Sequence, residues 1–184
     1  SSAVPRDRIE VGSLREALAT RPEELRPYLA KIARETNGFA AANAAFLDDG
    51  AFVRIPRGTA ASQPIHLVFL SEPAFGPTVS NPRNLVIAEP GSEATVVETY
   101  IGTAGEVYLT NSVTEVVTGD GANLDHYKLQ SESTAAYHVA TIEVHQERDS
   151  RYTSTSIALG GALARNDLNV RLEAEGADCT LNGL

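Results

Sequence analysis

The chain is 184 residues long, which fits one domain or a large domain with a small helical attachment. It carries 15 basic and 24 acidic residues and no run of Lys or Arg, so nucleic acid and anionic membrane surfaces are poor candidates as partners. Its single cysteine, Cys179, excludes an internal disulfide and any thiolate metal cluster held by this chain alone.

Helical periodicity is confined to the N-terminal segment, residues 1–47. Ser13 followed by Glu16 resembles a capping box and predicts a short helix. A second helix is predicted to start at Pro22 and to stop at Asn37-Gly38. Its apolar face would hold Leu25, Leu29 and Ile32. An alanine-rich stretch from Phe39 to Leu47 predicts a third helical turn region.

From residue 48 onward the pattern changes to short strands rich in β-branched residues. Ala51 to Ile55 and Ile65 to Leu70 are predicted strands, and the three prolines between Pro73 and Pro82 predict a loop. The remaining chain predicts pairs of strands joined by turns. The pairs are Leu85–Ala88 with Ala94–Ile101, Val113–Thr118 with Asn123–Leu129, Val139–His145 with Tyr152–Leu159, and Leu168–Leu172 with Cys179–Leu181.

A small residue ends the turn of each pair at Ala94, Ala122, Ser150 and Ala177, at intervals of 28, 28 and 27 residues. Such a period indicates stacked repeats, and it is too short for a propeller blade of about 40 to 45 residues. Asp120-Gly121 is the one hairpin-type turn in the ladder, and no hexapeptide period of a left-handed coil is present. We therefore predict a mainly β chain, with a parallel β-helix core over residues 48–184 and an aliphatic interior.

Two stretches carry a resemblance to a known family. The run from Asn43 to Gly58, NAAFLDDGAFVRIPRG, with the following QPIHL of Gln63 to Leu67, resembles the entry to the core of the SufB/SufD family of iron-sulfur cluster assembly scaffolds. The segments from Arg83 to Ser92 and from Asn166 to Ala177 also look like family ladder motifs. The resemblance implies a right-handed parallel β-helix flanked by helical segments, working in a SufB-SufC-SufD complex in which SufC is the ATPase.

Within that family the chain looks more like SufD. Leu47 stands where SufB members carry tryptophan, and no Cys-Thr-Ala-Pro-like segment follows the strand Val96 to Gly102. The resemblance implies a non-catalytic scaffold with SufB-like and SufC-like partners, and a homodimer is possible. An iron-sulfur cluster is implied for the whole complex and no cofactor for this chain.

Family members continue for well over a hundred residues past a motif like the one that ends at Leu184. We therefore expect the β-helix core to be truncated at its C-terminal end. The family residues connected with cluster assembly belong to that missing part, so no catalytic, cofactor-binding or metal-binding residue is predicted here.

Stacking at a period of 28 residues predicts that two polar columns run along the solenoid. We interpret both as ordinary polar ladders on its surface in preference to metal sites, and His66 and His138 as loop or strand-start residues. The first column would contain Glu98, His126, Ser154 and Asn182, and the second Val117, His145 and Glu173.

Cys179 is interpreted as a small, partly buried strand residue in preference to a cluster ligand or reactive thiol. Tyr100, Tyr127 and Tyr152 recur at intervals of 27 and 25 residues, which predicts aromatic stacking more readily than a sugar site.

The leading hypothesis is a cytoplasmic SufD-like scaffold, since no signal peptide and no apolar run of about 18 residues is visible. The alternative is a β-helix polysaccharide lyase or hydrolase, whose site needs clustered charged side chains. Against it, the ladder holds one lysine, Lys128. A third hypothesis is self-association through an open rung of the solenoid.

Overall fold

The computed structural model describes residues 8–29, 31, 37–72 and 76–184. Over these residues the protein is mainly β and forms a β-solenoid of about four turns. Its helices are α1 (Leu14–Thr20), α2 (Pro22–Leu25) and α3 (Gly38–Ala45). Its strands are β1 (Glu10–Ser13), β2 (Ala51–Ile55), β3 (Ile65–Ser71), β4 (Thr78–Ser80), β5 (Arg83–Ala88), β6 (Glu93–Gly102), β7 (Tyr108–Thr118), β8 (Asn123–Ser131), β9 (Tyr137–Gln146), β10 (Arg151–Ala158), β11 (Leu163–Leu172) and β12 (Asp178–Gly183).

The strands form two sheets that face each other across the tube. Sheet A has the order β1-β2-β5-β7-β9-β11, with β4 also paired to β7, and sheet B has the order β12-β10-β8-β6-β3. From β2 onward each strand pairs in parallel with the strand one coil away. The predicted parallel β-helix is confirmed in this respect, and the right-handed coil stays a prediction. The short strand β4 lies inside the segment predicted as a loop.

One turn recurs in every coil and is built around a residue in the left-handed conformation. The five residues have φ between 54° and 75°. The first four each donate their backbone N–H to a carbonyl of the next coil at 2.8 to 3.0 Å. Four of the five are glycine, the residue that adopts this conformation at least cost. They are Gly58, Gly91, Gly121, Asp149 and Gly176.

The coil length shortens along the chain, which corrects the constant period. From Gly91 the intervals in this turn are 30, 28 and 27 residues. Ala94 consequently pairs with Leu124, and Ser92 lies beside Ala122. The predicted alignment of Ala94 with Ala122 is wrong because loops at the other end of each coil differ in length, which the turn residues do not report.

Apolar side chains fill the half of the tube near this turn. They come from the inward-facing positions of both sheets, since alternate residues of a strand point to opposite faces. The buried members include Val53, Ile55, Val86, Val96, Val116, Leu124, Ile142, Val144 and Tyr152. The predicted aliphatic interior is thus confirmed for this half of the tube, and the other half is polar.

The N-terminal segment packs on the outer face of sheet A. Ser13 Oγ accepts the N–H of Glu16 at 3.2 Å, as the predicted cap requires. Strand β1 was not predicted; it pairs antiparallel with β2 and closes that end of the sheet. Leu14, Leu25, Phe52 and Leu85 form a second buried cluster between the helices and the sheet.

Asn37 begins a helix, which corrects the predicted helix stop. Its Oδ1 accepts the N–H of Ala40 at 2.8 Å as the N-cap of α3. Asn-Gly suits either end of a helix, and the side-chain hydrogen bond decides it. Helix α2 ends at Leu25, and Ile32 lies outside the described residues. Helix α3 buries Asn43, whose Nδ2 donates to the carbonyls of Pro82 and Asn111 at 3.0 Å.

Replacing Gly121 by alanine tests the turn column. A methyl group there would meet open space, so the cost is that of the left-handed backbone alone. We expect Gly121→Ala to lower the free energy of unfolding by about 1 kcal/mol, measured by urea denaturation. The control Gly38→Ala has equally open space but lies in helix α3, and it should be neutral or slightly stabilising. Equal loss in both variants would contradict the role of the turn.

Candidate functional site

The inward-facing side chains in the second half of the tube are polar and almost fully buried. We call them the interior network. Each is at most 6% exposed. The network comprises Glu98 and Tyr100 of β6, His126, Lys128 and Gln130 of β8, Glu132 just after β8, and His138 of β9.

Glu98 is the acceptor at one end of the network. Its carboxylate accepts from the hydroxyls of Tyr100 and Thr114 at 2.7 and 2.9 Å and lies 3.1 Å from His126 Nε2. Burial by itself would raise the pKa of Glu98, but these hydrogen bonds, that of His126 foremost, hold it below its ordinary value. Tyr152 Oη lies 2.8 Å from His126 Nδ1. A neutral His126 with its proton on Nε2 satisfies both contacts.

Lys128, His138 and Glu132 form the other end of the network. Lys128 Nζ lies 2.8 Å from His138 Nε2, and His138 Nδ1 lies 2.7 Å from Glu132 Oε2. An ammonium group can only donate, so Nε2 of His138 is an acceptor and its proton lies on Nδ1. Glu132 also accepts from Thr110 Oγ1 at 2.7 Å and from Gln130 Nε2 at 3.1 Å.

Burial governs the protonation of this second end. It lowers the pKa of Lys128 to about 8, although Glu98 and Glu132 oppose the change. Burial also lowers the pKa of His138, and the neighbouring Lys128 adds to this effect while Glu132 acts against it. Hydrogen bonds from His138 and Thr110 hold the pKa of Glu132 below its ordinary value despite burial.

Tyr100 joins the two ends. Its ring stacks on Phe69 at 4.6 Å and meets the edge of His138 at 4.8 Å, and Lys128 Nζ lies 5.0 Å from its centroid. The predicted stack of three tyrosines is wrong. Tyr127 points outward and is 41% exposed, while Tyr152 contacts His126.

The predicted polar columns are also corrected. His126 aligns with Val96, Ser154 and Leu181, while Glu98 aligns with Lys128. Glu98 reaches His126 across the register difference, and both are buried inside the tube instead of lying on its surface. The second column consists of Val117, His145 and Arg171, with Glu173 Oε1 3.9 Å from His145 Nδ1.

His138, predicted as a loop or strand-start residue, is buried in the network, whereas His66 lies exposed on β3, 2.8 Å from Thr99 Oγ1. The sequence held one signal for this. In β8, His126, Lys128 and Gln130 share the parity of Leu124, which any core-facing assignment must place inside. Three polar residues in a row at that parity masked the pattern.

The network holds fixed charges and supplies no evident reaction. Its ionisable groups contact one another, and no group of three or more His, Cys, Asp or Glu side chains in the described residues is placed to hold a metal ion. Cys179 is partly buried in β12 beside Tyr152, as interpreted from the sequence. Burial and Asp178 raise the pKa of its thiol, which disfavours the reactive thiolate.

Comparison with known families assigns both parts of the chain. Residues 2–67 match the SufBD protein N-terminal region, and residues 69–184 match the SufBD core domain of the SUF system for iron-sulfur cluster assembly. The chain belongs to the SufBD family. The family resemblance drawn from the sequence is thereby confirmed.

Several curated relatives share this SufBD sequence. A SufBD family iron-sulfur cluster assembly protein of Synechocystis is 32% identical over 161 residues, covering 83% of this chain and 36% of the relative. The chloroplastic protein ABCI7 of Arabidopsis thaliana is 36% identical over 129 residues, covering 65% and 26%. SufD of Escherichia coli is 27% identical over 135 residues, covering 72% and 32%. The SufBD chain thus spans about a third of the length of these relatives. In the part of the chain that the structure describes, no helix is long and apolar enough to cross a membrane.

Replacing Glu98 by glutamine tests the first end of the network. Glutamine offers one oxygen to the three donors that face Glu98 and turns an amide N–H toward one of them. We expect Glu98→Gln to reduce the free energy of unfolding of this SufBD chain by about 2 kcal/mol in urea denaturation. Glu93→Gln lies on the same strand but is exposed, and it should change little. A neutral Glu98→Gln would show that the contacts contribute nothing to stability.

Lys128 predicts a dependence of stability on alkaline pH. The unfolded lysine keeps its proton up to about pH 10.5, whereas the folded chain releases it from about 8. Between these values the unfolded state holds more protons, so the free energy of unfolding should rise with pH. We expect a gain of about 1 to 2 kcal/mol from about pH 8 to about 9.5, below the range in which tyrosine ionises.

The measurement is the urea midpoint across this range, with Lys128→Met as the control that has no such proton to lose. Both proteins carry Cys179→Ser, because burial raises the pKa of that thiol and its titration would oppose the trend. A midpoint that is flat or falls in the protein with Lys128 would contradict the buried, easily deprotonated lysine.

Proposed function

We propose that this chain belongs to a SufD-like scaffold subunit of a SufBCD-type complex, cytoplasmic and without catalysis of its own. One observation carries the proposal. Consecutive matches to the SufBD N-terminal region and to the SufBD core cover residues 2–67 and 69–184, and two of the relatives, from Escherichia coli and Bacillus subtilis, are named SufD.

The choice of SufD over SufB is supported by residues of this chain. Leu47 follows α3 at the position where SufB members carry tryptophan, and the chain contains no tryptophan at all. The single cysteine lies in β12, far along the chain from the strand β6, after which SufB members carry their Cys-Thr-Ala-Pro-like segment. Both features favour the SufD-like assignment.

A scaffold role is also supported by the chemistry of the interior network. Its acids and bases lie inside the tube and contact one another, an arrangement that stabilises one packing of the coils without presenting a nucleophile to solvent. In this proposal the iron-sulfur cluster is cargo assembled with SufB-like and SufC-like subunits, SufC being the ATPase, and this chain holds no cofactor. The comparisons give no support to the polysaccharide lyase or hydrolase alternative, and we do not pursue it.

Co-purification tests the proposal. The gene product that contains this chain is co-expressed with the SufB-like and SufC-like proteins of the same organism, with an affinity tag on the SufC-like protein alone. We expect the three proteins to elute together and in fixed proportion from a sizing column. The matched control is the same co-expression without the SufB-like protein, which should reduce the recovery of this chain.

If the SufB-like and SufC-like proteins elute together and this chain elutes separately, the SufD-like assignment is wrong. If the chain replaces the SufB-like protein in the complex, a SufB-like role is favoured instead.

A further inference from the structure

The outer face of sheet B is nearly free of charge. The outward residues of β3, β6, β8, β10 and β12 form rows across the sheet, set by the parallel register. One row consists of Val68, Thr99, Leu129 and Ile157, and the neighbouring row includes Tyr127. Val68 is 55% exposed and Tyr127 is 41% exposed, so these side chains face solvent.

Charged residues lie at one margin of this face. Glu93, Arg151 and Asp178 share the row at the start of the strands, and Arg151 Nε lies 3.5 Å from Asp178 Oδ2. Beyond that row, Asp125 is the one formally charged residue that the described strands point outward. Charged residues make up 21% of the chain, so their near absence from a flat, solvent-facing sheet is informative. Depletion of charge with aliphatic and tyrosine side chains is typical of the core of a protein interface, with a polar rim around it.

The corresponding face of sheet A is covered by the chain itself. Helices α1 and α2 pack on β2 and β5, and α3 packs on β7. The two outer faces of one solenoid therefore differ in kind. Sheet B presents its face without any packed helix in the described residues.

We propose that the outer face of sheet B is an interface with a second copy of this chain, related to the first by a two-fold axis. Each copy carries a formal charge of −9, so two copies repel when charged surfaces approach. The face of sheet B is the surface where that cost is least, and a neutral face is complementary to itself in charge. A two-fold arrangement brings the same rows of both copies together, which closes the assembly at two copies.

The area fits a reversible dimer. Five strands about 4.8 Å apart and about eight residues long cover about 600 Å² per copy, or about 1,200 Å² for the pair. This lies at the lower end of specific interfaces. Packed face to face, the two sheets would lie about 10 Å apart. We therefore expect dissociation in the micromolar range or weaker.

Sedimentation equilibrium of the full chain, from about 5 to about 500 µM, tests this interface. The expected result is a monomer at the low end and a growing dimer fraction at the high end. Leu129→Lys places a cation in the central row and should weaken association at least about tenfold. The matched control Val107→Lys makes a similar exchange at a residue 45% exposed before β7, off this face, and should leave association unchanged. Circular dichroism confirms that both variants are folded.

A monomer throughout this range overturns the proposal, as does an equal loss in both variants. Leu181→Lys separates a further arrangement, because Leu181 lies on β12 at the edge strand of sheet B and faces the tube interior. If association survives Leu129→Lys and is lost in Leu181→Lys, copies join end to end and the face is not the interface. The inference is independent of the scaffold assignment, since dimerisation of this chain and co-purification with SufB-like and SufC-like proteins are read separately.

Discussion

The coil-to-coil register is the constraint on which the rest of this structure depends. A backbone N–H or C=O that is buried without a partner is costly, so each coil must present its groups to the next coil at matching positions. The left-handed turn at Gly58, Gly91, Gly121, Asp149 and Gly176 fixes one corner of every coil, with a hydrogen bond to the neighbouring coil at the first four. Because that corner is fixed, differences in coil length are taken up at the other end. The side chains near the turn therefore stack in the same way from coil to coil.

The same register explains why the tube has an apolar half and a polar half. Near the turn, aliphatic side chains meet their equivalents and exclude water. Further along β6 and β8, Glu98, His126 and Lys128 point inward at positions from which no exposed rotamer is available. Buried charges are costly unless they are paired and hydrogen-bonded, and here each carboxylate has a histidine beside it. The arrangement accepts a lowered pKa for Lys128 as part of that compromise.

The two outer faces divide the work of a scaffold. Sheet A is the face to which the N-terminal segment is attached, through Leu14 and Leu25 and through Arg54, which pairs with Glu89, Glu24 and Glu10. Sheet B keeps a flat surface whose charged residues are gathered at one margin. A rigid solenoid with one anchored face and one open, charge-poor face is suited to holding other surfaces in fixed positions, which agrees with membership of a cluster-assembly family.

The sequence by itself determined the strands, the parallel stacking and the family. Alternation in segments such as Tyr152 to Leu159 and the recurring small turn residues are local signals, and they survive whatever the neighbouring coils do. Only the tertiary structure decided that the first interval is 30 residues, that His138 and Glu98 lie inside the tube, and that Asn37 starts a helix. These depend on loop lengths and on side chains that meet across coils. A spacing counted along the chain cannot distinguish the interior of a strand from its surface when both carry polar residues.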